Sequence, residues 1–190
     1  MPRRKYYGRK KRRYYRRYKR PNLTQKIKKT IQSMAEKKVQ TQFADTTVDS
    51  VGTFIPAGSI AEGDRNDERT GDQVSITSTH FCGIFAVADA YNFLRVILFE
   101  WESATAPSNA VEILESTSSH SIISEYQLDR PTPFRVLQDK TYRVDTDDPA
   151  KKVFIKHKFR NPMKVSYDNT GATDYGARSL WWLIISDSGA

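Results

Sequence analysis

The chain has 190 residues and a formal net charge of +9, from 31 Lys and Arg against 22 Asp and Glu. The charge is divided unevenly: residues 1–38 hold 17 cations and one acid, whereas residues 39–190 hold 14 cations and 21 acids. This asymmetry points to a nucleic-acid or anionic-membrane partner. The single cysteine, Cys82, excludes an internal disulfide framework, and the apolar run Leu180–Ile185 is far shorter than the roughly 20 residues of a membrane span.

Residues 1–21 form the basic arm, which ends at Pro21 and is predicted to be disordered when free because it has no apolar pattern. Its cations release counterions from phosphates, and its tyrosines offer faces on which unpaired bases stack, so single-stranded nucleic acid is favoured over duplex. The run Arg9–Arg13 would also serve nuclear import, whereas a membrane role is disfavoured because an apolar face is missing. The predicted phosphate contacts are Arg3, Arg4, Lys5, Arg9, Lys10, Lys11, Arg12, Arg13, Arg16, Arg17, Lys19 and Arg20, and the predicted stacking residues are Tyr6, Tyr7, Tyr14, Tyr15 and Tyr18.

Residues 22–38 are predicted to form an amphipathic basic helix. Leu23, Ile27, Ile31 and Met34 recur at helical spacing and form one apolar stripe. A helix of about four turns is marginal alone, so the stripe needs a partner, either the body or copies of itself. The remaining surface is basic, and the cations predicted to contact nucleic acid are Lys26, Lys28 and Lys29.

Residues 39–190 are predicted to form one all-β domain, because Val, Thr and Phe alternate with polar residues between Gly, Pro, Asn and Asp turns. Residues 45–72 are predicted to be a long polar connection, and Pro107–Glu115 a short helix capped by Asn109. Phe93–Trp101, nearly all apolar, is predicted to be a central strand. The seven predicted strands are residues 39–44, 73–87, 93–101, 134–144, 152–159, 163–167 and 179–186.

The strand at residues 73–87 is predicted to be two-faced. A strict two-residue alternation places Ser75, Thr77 and Thr79 on its polar face. The predicted apolar face comprises Val74, Ile76, Cys82, Ile84 and Ala86.

The chain carries few signatures of catalysis. Phosphate-binding, dinucleotide, GxSxG and HExxH motifs are all missing, and the three histidines are isolated, so the chain is predicted not to be an enzyme and to use no cofactor. Two acidic loops are candidate calcium sites, but solvated acids or salt bridges between subunits are favoured there. The weak metal candidates are Asp64, Asp67, Asp145 and Asp147.

Five motifs, in chain order, resemble the capsid proteins of small satellite viruses such as satellite tobacco necrosis virus, and equally those of Rep-encoding circular single-stranded DNA viruses. The resemblance implies a single jelly roll, a T=1-like icosahedral shell of about 60 identical copies and no enzymatic activity. The satellite branch has calcium sites, but its ligands are not matched residue by residue here. The motifs are Gly63–Ile76 (GDRNDERTGDQVSI), Leu94–Trp101 (LRVILFEW), Val111–Leu114 (VEIL), Ile123–Tyr126 (ISEY) and Phe134–Tyr142 (FRVLQDKTY).

The sequence therefore predicts an all-β jelly-roll capsid protein of a virion, with a period in the host nucleus. DNA is favoured over RNA as its single-stranded cargo, because the Arg/Tyr-rich arm is more similar to the DNA-virus branch. Two alternatives stay open: a satellite coat protein that packages RNA, and a non-assembling nucleic-acid-binding protein such as a silencing suppressor or movement factor. One strand is also unaccounted for, either lost from the end of the chain or hidden in residues 45–60.

Overall fold

The computed structural model describes residues 23–24, 26–27, 30, 37–86, 91–116, 121–129, 134–147 and 149–187. Their regular structure is mainly antiparallel β, which confirms the predicted fold class. The unit that begins at Lys38 contains all the strands found among the described residues. The elements are β1 (Thr53–Pro56), β2 (Gln73–Ala86), β3 (Tyr91–Trp101), a 3-10 helix (Ala110–Glu112), β4 (Phe134–Asp145), β5 (Ala150–Ser166) and β6 (Ser179–Ser186).

The strands pair in nested order, first with last. β1 pairs with β6, β2 with β5 and β3 with β4, all antiparallel, and β3 also pairs with β6. The result is a four-stranded sheet, in the order β1-β6-β3-β4, and a two-stranded sheet, β2-β5. The chain therefore runs as one long hairpin wrapped over itself, which is the jelly-roll arrangement.

A short strand pair lies inside this nest, between β3 and β4. Leu114 and Tyr126 form an antiparallel bridge, flanked by hydrogen bonds from Glu115 N to Glu125 O (3.1 Å) and from Gln127 N to Ile113 O (2.8 Å). Together with the six longer strands of the described residues, these two segments make up the eight strands of a jelly roll.

One strand that the sequence analysis missed is β1, inside the predicted connection of residues 45–72. It has four residues, too few for a clear alternation, and ends at Pro56, which an edge strand tolerates. Gly52 precedes it with φ +88°, and a Cβ there would lie 2.8 Å from Leu183 Cδ1. β6, the last strand of the described residues, pairs with both β1 and β3.

The core centres on β3 and β6. Every residue of β6 is buried, as is every residue of β3 from Leu94 to Trp101. Strands covered on both faces need apolar side chains at successive positions, which explains why the sequence identified both. The rings of Phe81 and Trp182, 5.4 Å apart, join the two sheets.

The predicted faces of β2 are wrong beyond Ile76. Thr77 is unpaired in the β2–β5 register and lies opposite residues 159–162, and the burial alternation of β2 changes phase between Ile76 and Thr79. Thr79 and Phe81 are buried instead, and the side chains predicted to be apolar-facing, Cys82, Ile84 and Ala86, are exposed.

Two predicted strands, residues 152–159 and 163–167, are one continuous strand, β5, in the structure. Residues 152–159 and 163–167 were separated in the prediction by Asn161 and Pro162, but β5 continues through them. Residues 159–162 lie opposite the register shift, where a proline removes no ladder hydrogen bond.

Two further local predictions are corrected. The predicted helix at Pro107–Glu115 is a single 3-10 turn; Asn109 caps it by accepting from Val111 N (3.1 Å), while Glu112 accepts from Ser108. Residues 37–49 have no regular secondary structure, so the predicted strand at residues 39–44 is not formed.

Candidate nucleic-acid interface

The basic arm lies outside the described residues. All of its predicted phosphate and stacking contacts, from Arg3 to Arg20, are therefore still predictions, and so are the contacts assigned to Lys28 and Lys29. The boundaries at residues 21 and 38 likewise stay predictions.

The predicted helix is described only in part. Leu23, Thr24, Lys26, Ile27 and Thr30 are helical, and Thr30 Oγ1 donates to Lys26 O at 3.1 Å, one turn earlier. Leu23 and Ile27, two residues of the predicted stripe, are 73% and 50% exposed. Lys26 is also exposed. Ile31 and Met34 lie outside the described residues, and Lys37 and Lys38 lie in no helix.

A second cationic surface, which we call the β5 cation row, lies on the body of the protein. Its side chains alternate with buried ones such as Val153 and Ile155, so they share the outer face of the sheet. Neither β2 nor β5 contains an acid, and none of the ion pairs found among the described residues involves this row. The row comprises Lys152, Lys156, Lys158, Arg160 and Lys164.

An aromatic side chain stands within the β5 cation row. Phe154 is 57% exposed, and its ring meets the edge of the His80 ring at a centroid distance of 6.0 Å. Cys82, opposite Phe154 in the register, is also exposed. Cations beside an exposed aromatic ring suit single-stranded nucleic acid, because the cations can contact its phosphates and the ring can stack on its bases. The sequence signal was available, because the Lys and Arg residues of KKVFIKHKFR recur mainly at two-residue spacing.

The described histidines make packing contacts. The His157 ring lies 4.7 Å from the Phe159 ring, and burial lowers the pKa of His157. His120 lies outside the described residues.

The candidate calcium ligands do not come together. Asp64, Asp67 and Asp147 are exposed, and Asp145 pairs with Arg143 at 3.2 Å. Within the described ranges, no group of three or more His, Cys, Asp or Glu side chains is placed to hold a metal ion.

The first acidic loop surrounds a buried arginine. Arg69 donates to Ile60 O (3.1 Å), Gly71 O (2.6 Å) and Asn169 O, and its guanidinium stacks 4.3 Å from the centre of the Tyr167 ring. Glu62 (3.7 Å) and Asp72 (3.9 Å) flank it. At least these two acids thus balance a buried charge within the chain, a role that the sequence did not reveal.

A jelly roll that follows an Arg/Tyr-rich segment in the sequence is the architecture of a small viral coat protein. A family model described as Satellite tobacco necrosis virus coat protein matches residues 9–189, so the chain belongs to that family. The search of curated proteins gave no match. The protein is therefore a structural component of a virion, and its copies assemble into a capsid that packages nucleic acid.

The family describes a structural protein rather than an enzyme. In the described part of the chain, the helices are too short or too polar to cross a membrane.

Proposed function

We propose that about 60 copies of this chain close into a T=1-like icosahedral shell around single-stranded nucleic acid, which is held by the basic arm. The family match carries the proposal, because residues 9–189 include both the sandwich and most of the arm. The sandwich would form the wall of the shell, and the arm would supply the positive charge that neutralises the phosphates of the packaged nucleic acid.

The charge of the arm and helix suits this task. Residues 1–38 carry a net +16, so about 60 copies bring on the order of 1,000 positive charges, comparable to the phosphates of a strand of about a thousand nucleotides. The β5 cation row is a second, smaller cationic surface on the body. Most of the binding free energy is expected from the arm, since it holds more cations.

The helix of residues 22–38 is expected to associate with the same helix of neighbouring copies. Leu23 and Ile27 are largely exposed in the single chain, which supports a partner for them in the assembly. Ile31 and Met34 would extend the same stripe.

Single-stranded DNA is our proposed cargo, on the similarity of the arm to those of the Rep-encoding DNA viruses. The rival cargo is single-stranded RNA, and the match to a satellite virus coat protein supports it comparably. For a DNA cargo we further propose that Arg9–Arg13 engages a host import receptor and brings the protein to the nucleus.

The test is to purify the assembled protein, image it by negative-stain microscopy and digest the extracted contents with DNase or RNase. Closed particles of uniform size whose contents only DNase degrades are expected. RNase sensitivity would replace the DNA proposal with the RNA one. A protein that stays monomeric or dimeric with nucleic acid at low salt would overturn the shell and favour a non-assembling binding protein.

Deletion of residues 1–20 separates arm from body. The shortened chain is expected to give empty or unstable shells, because its cations are lost while the sandwich is kept. Packaging equal to that of the full chain would contradict the role of the arm. For nuclear import, the arm fused to a fluorescent protein is expected to accumulate in nuclei, whereas the variant with all five residues of Arg9–Arg13 changed to Ser is not.

A further inference from the structure

In residues 39–44, exposed and partly buried side chains alternate, but the apolar side chains are the exposed ones. Val39 and Phe43 are 82% and 95% exposed, and Thr41 between them is exposed too. Gln40 and Gln42, at the intervening positions, are partly buried. The polar side chains therefore face the body and the apolar ones face away from it.

Polar anchors at Gln42 and at Lys38, the residue just before the segment, fix this orientation. Gln42 Nε2 donates to Ser59 O at 2.8 Å, and Lys38 Nζ donates to Arg65 O (3.1 Å) and Glu68 O (3.0 Å). A rotation that buried Phe43 against its own body would break these bonds. The exposed ring is thus a consequence of how the segment is attached.

The exposure of these two side chains is costly in an isolated subunit. Burial of a Val or Phe side chain contributes about 1.5–3 kcal/mol relative to exposure in water. Val, Thr and Phe at alternate positions also favour a strand, yet the segment has no strand pairing within the described residues. Both features fit a segment completed by another chain.

The chemistry of the segment selects the partner. Residues 39–44 (VQTQFA) carry no charge, so phosphates find no cation there and a nucleic-acid strand is disfavoured. Two apolar side chains are too few for a membrane anchor. A coat protein is surrounded in its shell by identical copies, and each copy can offer the same surface to its neighbour.

We propose that residues 39–44 dock on a second copy of this chain, with Val39 and Phe43 buried against that neighbour. The inference rests on the assembly of copies into a shell, and it adds where one contact between copies lies. The segment directly follows the predicted helix, so it would connect that helix to the neighbouring sandwich.

The first test is photo-crosslinking in assembled particles. Phe43 is replaced by p-benzoyl-phenylalanine, which keeps the aromatic ring, and the particles are irradiated and run on a denaturing gel. Covalent dimers are expected. The matched control carries the same residue at Gln42, which contacts Ser59 of its own chain, and is expected to crosslink within the chain. Particles that crosslink at position 43 only within one chain, or only to nucleic acid, would overturn the proposal.

The second test measures particle yield for Phe43→Asp and Phe43→Leu. Aspartate is expected to lower the yield about tenfold or more, and leucine to keep it near that of the unchanged protein. Thermal unfolding of the dissociated subunit should be the same for both, because the side chain is exposed. Equal yields for the two variants would sink the proposal, whereas failure of the unchanged chain to form particles would sink the shell itself.

Discussion

The two sheets of the sandwich differ in which surfaces they leave to solvent. In the four-stranded sheet, β6 is buried throughout and β3 from Leu94 to Trp101. In the two-stranded sheet, one face of β2 and β5 is buried and the other carries the β5 cation row. Stability is therefore expected to concentrate in the first sheet, and surface recognition in the second.

Amino-acid pattern underlies this division. β6 reads SLWWLIIS, an unbroken apolar run, whereas β5 alternates Lys or Arg with Val, Ile and Phe. A strand with two covered faces uses the first pattern and a strand with one solvated face the second. Variants at matched positions in the two sheets test how far this division extends.

Truncation of a core leucine should have the largest effect. Leu183→Ala in β6, where the side chain is fully buried, is expected to lower the free energy of unfolding of the dissociated subunit by about 3–4 kcal/mol, because it leaves a cavity. The matched change in the second sheet is Ile84→Ala, which removes a side chain that is 73% exposed and should cost about 0.5 kcal/mol or less. Urea denaturation measures both, and similar costs would break the comparison.

An arginine in each sheet gives the next contrast. Arg95 of β3 is buried; it donates to Asp139 at 2.7 Å and to the carbonyls of Ser121 and Ser124. Arg95→Met should cost about 1–3 kcal/mol, since it leaves the carbonyls of Ser121 and Ser124 without this donor and removes the ion pair with Asp139, which still accepts from Tyr126. Arg160→Met in the β5 cation row should change stability by about 0.5 kcal/mol or less. A large loss at Arg160 would mean that the row is structural.

Alkaline pH should lower the free energy of unfolding because of Tyr167, the residue that follows β5. Burial raises the pKa of Tyr167 to about 12, above its ordinary value of 10.0. Between pH 10 and 12 the unfolded chain loses this proton while the folded chain keeps it, so stability falls with pH, by about 2–3 kcal/mol at the top of the window. Between pH 10 and 12, the free energy of unfolding, measured by urea denaturation, should fall more steeply for the unchanged protein than for the Tyr167→Phe variant. Parallel curves for the two proteins would refute the assignment.

The smallest stability effect is expected in the β5 cation row. The double variant Lys156→Glu with Lys158→Glu should leave the free energy of unfolding within about 0.5 kcal/mol, because both side chains are exposed. Its loss of affinity for single-stranded nucleic acid, measured by fluorescence anisotropy at fixed salt, should be smaller than that caused by deletion of residues 1–20. A greater loss than the deletion causes would move the main binding surface from the arm to the body.

Elements with an unambiguous periodic signal were predicted well. β3 and β6 were found because strands buried on both faces are continuous apolar runs, and β4 was found within a residue of its end. The family match also agrees with one part of the resemblance carried by the five motifs, the similarity to satellite virus capsid proteins. The DNA branch, the basic arm and the stripe residues stay predictions.

Errors occurred where a distant strand decided the outcome. The register shift at Thr77 is visible only against β5, and beyond it Cys82 and Ile84 lie on the face opposite to the predicted one. β1 is strand-like only because β6 pairs with it. Residues 39–44 show the opposite case, since their strand-like sequence finds no pairing partner within the described residues.

The sequence by itself determined the charge division, the all-β class and the apolar runs of the central strands, because composition and two-residue periodicity are local properties. Only the tertiary structure decided the nested pairing, the faces of β2, the burial of Arg69 and the outward direction of Phe43. Each of these depends on contacts between residues far apart in the chain, where one register shift or one anchoring hydrogen bond determines which side chains reach solvent.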